Sequence, residues 1–538
     1  MDPVRRAGGW ERDRVVNPLV KKVDVARVVA AARGTTLQRQ VPSLSRREAV
    51  AELSRVPGLG ATRAGRLYDE LGICTLTELH HALEEGRMAD VRGIGTGIEA
   101  RLKDALDRLL DDSAHLSIAE AEFHVNRLLA HMRQAPGVRS VEPAGTFRRR
   151  CDVIDNLVLL AVSARPAAVM RHFCAYADAV TATQLDASRG ALTLQCGLRV
   201  ELRVVPGRCH GASLHHVTGS EAYEAEIRSL GLKLGVRISD YGVFLLETGK
   251  AGARRVGGQK EEDVFTALGL PWIPPELREN RGEIEAARAG HLPRLVAAEE
   301  IRGDLRLRTR WGTGTATTEE MIRGCRAARY AYCAIADALG SAAPRGLGSR
   351  SLREQAEEIA ALRRKYAALH ILHGAEVAIL PDGSLELDDD DGAVLDLVIA
   401  AVHTRARTSR VRATERLLHA IEDPRLDILA WPTGRLIRER DAVDADFDVV
   451  FQAAARRGVA VELAADPERL DPPAPLLRQA ANAGVLIAVS TAAATPAQLD
   501  VMRFGVDQAR RGWLEAGNVL NTRSWPELLH WLRRREHR

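Results

Sequence analysis

Residues Gly145 to Leu160 read GTFRRRCDVIDNLVLL, and the reading of the whole chain turns on them. Gly145 and Thr146 make a tight turn, and Arg148 and Arg149 offer guanidinium forks shaped for phosphate oxygens. Val153 to Leu160 is apolar enough for a buried strand. Side chains alternate along a strand, so positions 156 and 158 share a face. Two aspartates there would hold divalent ions for phosphoryl transfer, because hard cations take oxygen ligands. The chain has Asn156 and Val158 instead. The stretch is prepared for phosphate and lacks the acids that would act on it.

Working outward, the strand Gly197 to Pro206 alternates, with Arg199, Glu201 and Arg203 on one face and Val200, Leu202 and Val204 on the other. Glu201 is either a surviving acid of the same site or an ion-pair partner for the two flanking arginines. Next comes His215-His216-Val217-Thr218-Gly219-Ser220. Adjacent histidines on a strand face opposite ways, so a shared metal site is not expected there. Upstream, Val56-Pro57-Gly58-Leu59-Gly60 precedes a helix over 61–71, and Val91-Arg92-Gly93-Ile94-Gly95 precedes another over 98–110. A Gly-x-Gly hairpin at a helix N-terminus brings backbone N–H groups to a phosphate without an intervening side chain. Two in tandem point to DNA-backbone binding independent of base sequence, through Gly58, Gly60, Gly93 and Gly95.

At 538 residues the chain exceeds one core, and three or four domains are expected. No apolar run approaches the roughly 20 residues that span a bilayer, and the start lacks a signal peptide's apolar core. A cytoplasmic, nucleoid-associated protein with no membrane partner is expected. Seven cysteines without CxxC spacing suit a reducing compartment. The net charge of +4 decides little, but the first fifty residues hold eleven basic against five acidic side chains, an excess that suits a polyanion or a solvated tail equally.

The GTFRRR element resembles the nucleotidyltransferase signature of the family X DNA polymerases, with Thr146 in place of serine and the aspartate-x-aspartate replaced by Asn156 and Val158. Glu201 falls where that family has its third metal-binding aspartate. Thr218, Gly219 and Ser220 match half of the element beside the incoming nucleotide's sugar, without its aromatics. Asp240 to Phe244 and Leu268 to Glu279 resemble the family's closing segments. The resemblance implies a phosphate-binding role for Gly145, Thr146, Arg149, Thr218, Gly219 and Ser220.

From about residue 294 the chain resembles the polymerase and histidinol phosphatase (PHP) domain of the bacterial branch, a metal-dependent phosphoesterase barrel. Its trinuclear site is stripped. Arg306 and Arg308 replace a histidine pair, Thr313 an aspartate, Ala338 and Trp431 histidines, and Ala492 and Ala494 an aspartate-x-histidine pair. Glu376 and His403 keep ligand identity. A polynuclear centre needs several anionic or imidazole donors per ion, and arginines repel cations. The run Asp388 to Asp391 reads as a solvated charge cluster in a loop. Apolar runs at 395–402, 426–430, 459–463 and 485–490 alternate with helical segments, as in a β/α barrel.

The expected architecture is therefore multidomain, α+β and α/β. A basic, partly ordered arm over 1–45 stands for a truncated lyase-type subdomain, with only Lys21 and Lys22 as amines for Schiff-base chemistry. A helix-hairpin-helix DNA-binding domain follows over 46–112, a polymerase beta-like palm and thumb over 113–290, and a PHP-type barrel over 291–538. The expected function is catalytically silent binding of gapped or end-containing DNA in repair, with repair proteins as further partners and no tightly bound cofactor. The alternative is an active gap-filling DNA polymerase with a 3'-5' exonuclease domain, using Mg or Mn in the palm and Zn or Mn in the barrel.

Overall fold

The computed structural model describes residues 46–54, 56, 59–73, 78–79, 82–83, 88, 91 and 101–103 near the front, and 115–246, 253–403 and 408–533 beyond. The expected arm over 1–45 and the glycines at 58, 93 and 95 lie outside them. The chain divides into two compact units, residues 1–110 with 177–182 and 192–197, and residues 111–176, 183–191 and 198–538.

In the first unit the helices Arg46–Leu53 and Gly60–Leu71 are joined by a bidentate Arg46–Asp69 pair, both bonds at 2.8 Å. They bury Leu53, Leu59, Leu67 and Ile73 in one cluster with Leu79, Met88 and Leu102. Gly60 opens its helix at φ +65°, a backbone shape that favours glycine.

In the second unit the first helix is Ile118–Met132. Ser117 caps it: the Ser117 hydroxyl accepts from Glu120 N at 3.3 Å, and the Glu120 carboxylate accepts from Ser117 N at 2.8 Å. Its buried face, Ile118, Ala121, Val125, Leu128 and Met132, follows helical spacing. Strand Val138–Ala144 runs antiparallel to Asn156–Ser163, which runs parallel to Arg199–Val205. Between the first two, Gly145–Arg148 forms a single helical turn, more ordered than the plain turn expected, with Gly145 at φ +62°.

Helices His210–Thr218 and Glu221–Lys233 lead into a three-stranded antiparallel sheet, Val236–Ser239, Gly242–Leu246 and Ala253–Gly257. The expectation for His215 and His216 is corrected here. They lie on a helix, where successive side chains are only about 100° apart, and both reach Glu224, at 3.0 and 3.2 Å.

Among the described residues the C-terminal part forms seven parallel strands in chain order: Gly303–Leu307, Tyr332–Ala338, His370–Ala378, Leu397–Ala401, Ile428–Ala430, Ala460–Ala464 and Ile487–Ser490. Their near-continuous apolar sequences suit burial on both faces. The first and last strands approach through a parallel bridge, Leu307 to Ala493, giving a nearly closed barrel. Asn521 completes that seam with its side chain. Its amide N–H groups donate to Gly303 O and Val489 O, each at 2.8 Å, and its amide oxygen accepts from Val489 N at 2.7 Å. Leu528, Trp531 and Leu532 of the last helix, Trp525–Arg533, join the interior cluster formed by Leu305, Ala334, Ile399 and Ala460.

The Asp388–Asp391 segment also departs from expectation. It ends in a helical turn, Asp389–Gly392, in which Asp389 pairs with Arg425 at 2.9 Å while Asp391 is buried and accepts from the Ser349 hydroxyl at 2.7 Å. These donors let one acid of the run leave solvent.

Candidate functional site

The palm brings together Gly145, Thr146, Arg149, Thr218, Gly219 and Ser220, and gives most of them internal partners. Arg149 is buried. Its Nη1 donates to Thr218 O at 2.7 Å and its Nε to Glu279 at 2.9 Å. Arg148 forks onto Glu261 at 2.7 and 2.9 Å and also reaches the Thr218 hydroxyl at 2.8 Å. Arg278 meets the same Glu261 at 2.6 Å. Burial alone would raise the Glu261 carboxyl, but Arg148 and Arg278 hold it far below the usual range. The Thr146 hydroxyl donates to Asn156 O at 3.2 Å. The Ser220 hydroxyl caps its helix by accepting from Tyr223 N at 3.2 Å. At Gly219 any Cβ would collide with the Tyr223 ring.

The positions that would carry acids are adjacent, as strand alternation requires. Val158 stands opposite Glu201 on one side and Ala144 on the other, and Asn156 stands opposite Arg199. Val158 packs against an apolar group of Ala144, Leu160 and Leu214, and a Cβ on Gly145 would lie 3.3 Å from it. Glu201 pairs with Arg199 at 3.2 Å, the second of the two readings open from sequence. One ion-paired carboxylate, an amide and an isopropyl group do not fit a pair of Mg or Mn ions.

The palm signature is also tied to the barrel. Asp152 meets Arg435 at 2.9 Å and Arg511 at 3.5 Å, and Arg511 reaches Glu279, the partner of Arg149, at 3.3 Å. Glu276 pairs with Arg510 at 2.7 Å and Glu120 with Arg438 at 3.1 Å.

At the carboxyl ends of the barrel strands, where such folds place their chemistry, Arg306 occupies the centre. It is fully buried, 2.5 Å from Glu376 and 2.7 Å from Glu462, with its guanidinium 4.2 Å from the Trp431 ring centroid. Arg308 reaches Glu376 at 3.1 Å, and His403 lies 3.3 Å from the same carboxylate. Burial would raise Glu376, but Arg306, Arg308 and His403 hold it low; burial depresses His403. Arg469 stacks on Trp431 at 4.4 Å. The two retained ligands, Glu376 and His403, are thus together, and a guanidinium sits between them and Glu462. Among the described residues no group of three His, Cys, Asp or Glu side chains is arranged to hold a metal. The donor set does not fit Zn or Mn, because Arg306 already supplies the positive charge.

A helix-hairpin-helix tandem model matches residues 20–72 and 50–108, and a DNA polymerase beta thumb model matches residues 213–279. Over 504 residues, 93% of this chain and 86% of the relative, the sequence is 32% identical to the DNA polymerase/3'-5' exonuclease PolX of Bacillus subtilis. The chain belongs to the PolX family of DNA polymerases. A probable phosphatase of Syntrophotalea carbinolica is 27% identical over 152 residues, 26% of this PolX chain and 61% of that protein. A Leishmania infantum polymerase beta structure, a ternary P/T complex, matches at 20% identity and a TM-score of 0.30, covering 44% of this chain and all of that one.

Within this PolX family member the other substituted positions separate. Ala338 is buried beside Ala342 and Ala378, Thr313 is exposed, and Ala492 and Ala494 follow the last strand, Ala492 at φ +50°. Sequence reading missed Glu462, Arg469 and a set of buried acids bonded to hydroxyls. Thr309 donates to Asp337 through its N–H at 2.7 Å and its hydroxyl at 2.6 Å, the Thr433 hydroxyl donates to Asp471 at 2.6 Å, and the Thr491 hydroxyl donates to Asp304. The available signal was a single Glu or Asp inside an otherwise apolar strand, as in Val459 to Leu463. No helix among the described residues is long and apolar enough to cross a membrane.

Proposed function

We propose that this PolX family member is a DNA-binding, repair-associated protein whose polymerase and phosphoesterase centres are both silent. The observation that carries this reading is Arg306, a guanidinium closed between Glu376 and Glu462 where the family resemblance expects metal ions. Asn156 and Val158 in the palm, with Glu201 given to Arg199, extend it to the polymerase centre. Loss of metal charge removes several kcal/mol of transition-state stabilisation, enough to end useful turnover. The helix-hairpin-helix region supplies sequence-independent contacts to gapped or end-containing duplex in the cytoplasm, and the two former enzyme domains offer surfaces to repair proteins.

The test is primer extension on a gapped duplex with Mn²⁺, beside a fluorescence titration of the same DNA. The expected result is salt-sensitive binding without incorporation. Incorporation abolished by Glu201→Ala, with Mn²⁺-dependent removal of 3' nucleotides, would establish instead an active gap-filling polymerase with an exonuclease domain.

A further inference from the structure

The former metal pocket of the barrel holds more cationic donors than its carboxylates accept. Glu376 and Glu462 are both taken by Arg306. Arg308 shares one oxygen of Glu376 with Arg306, and its Nε is buried without an acceptor. Arg469 makes no ion pair within 4.0 Å among the described residues, although Asp466 and Asp471 lie in its surroundings, and its Nη1 is likewise buried without an acceptor. His403 Nε2 approaches Glu376 without a hydrogen bond. Trp431 has Arg306, Arg308 and Arg469 at 4.2, 5.9 and 4.4 Å from its ring, and all three guanidiniums act electrostatically on His403. Arg308 and His403 keep 24% and 18% of their side-chain surface open, which gives solvent a way in.

Buried N–H groups without acceptors are rare in folded proteins and mark places for water or an ion. Guanidinium groups with unused donors are suited to the oxygens of a phosphoryl group, and low dielectric strengthens that attraction. We propose that this pocket binds the phosphoryl group of a phosphate monoester through Arg308 and Arg469, beside His403, without a metal ion and without cleaving it. A site that held cations to split phosphate esters in its relatives' fold would here hold the anion itself. Arg306 stays committed to the two glutamates and sets the floor of the pocket. The inference rests on the silent reading of the barrel.

Isothermal titration of the full chain in EDTA, with inorganic phosphate, thymidine 5'-monophosphate and thymidine as probes, tests it. Phosphate and the monophosphate are expected to bind and thymidine not to bind. A tighter monophosphate than phosphate assigns the site to nucleotide ends, and equal affinities assign it to free phosphate; both support the inference. Arg469→Gln and Arg308→Gln should each weaken binding at least about tenfold, the value of one charge-assisted hydrogen bond. Arg308→Lys, checked for an unchanged melting curve, should retain most of it. No heat with either phosphate at millimolar concentration, or affinity unmoved by both glutamine variants, overturns the inference. Hydrolysis of a 3'-labelled duplex in Mn²⁺, measured separately, would overturn the silent reading, so the two failures are distinct.

Discussion

Arg306 carries, as one covalently attached charge, what the barrel's resemblance assigns to metal ions. Breaking a buried ion pair by removing one member leaves uncompensated charge and costs about 3–5 kcal/mol. Arg306→Ala is therefore expected to lower stability by that amount in urea unfolding, and adding Glu376→Gln and Glu462→Gln should recover a large part of it. Asp304 predicts a pH effect. Burial pushes its carboxyl up to about 7, so it stays protonated in the folded chain where the unfolded chain ionises. Its contribution to stability is complete below roughly pH 4 and declines as pH rises toward 7. Asp304→Asn should flatten that decline, read as the melting temperature at pH 5 and pH 8. Glu201→Ala should change stability by less than about 0.5 kcal/mol, because its pair with Arg199 is partly solvated. At this scale the sequence showed where Asn156, Val158, Arg306 and Trp431 depart from the motifs they resemble. It hid the compensations. Glu462, Arg469 and Glu279 lie far along the chain from the arginines and the ring they meet, and no spacing links them.

Elements were more legible where a local signal and a packed face agreed. Helix Ile118–Met132 carries its start in Ser117 and Glu120 of the capping box and its buried face in its apolar spacing. The last four barrel strands lie inside the predicted apolar runs or within a residue of them, because β/α units repeat one pattern. The two histidines misled because a short run with a low-contrast pattern reads equally as strand or helix. The residue that seals the seam beside the Leu307–Ala493 bridge was not legible, since Asn521 is a single amide in a segment with little pattern of its own. Asn521→Leu leaves two carbonyls and one N–H of the first and last strands unpaired. A loss of about 2–4 kcal/mol is expected, measured by thermal unfolding.

Across the second unit, carboxylates of the palm and thumb meet arginines of the barrel at Asp152, Glu279, Glu276 and Glu120. The palm arginines prepared for nucleotide phosphates point instead to Glu261 and Glu279. On the proposed reading, DNA affinity belongs to the first unit, where the helix-hairpin-helix model matches. On that reading, Gly60→Val, at a left-handed backbone position, should weaken binding to gapped duplex, while Arg149→Ala should leave binding and its salt dependence unchanged in the same titration.

The guanidinium inside the barrel also bears on how the chain meets scarcity and descent. On the proposed reading, a barrel neutralised by its own arginine folds without drawing on the cell's zinc or manganese, and its melting temperature is expected to be unchanged by chelators. The same arrangement acts as a ratchet. A mutation that merely removes Arg306 strands two glutamates in a dry interior before any ion-binding histidine has been rebuilt, and the intermediate is less stable than either end state. On that reading, building a metal centre here requires several changes at once.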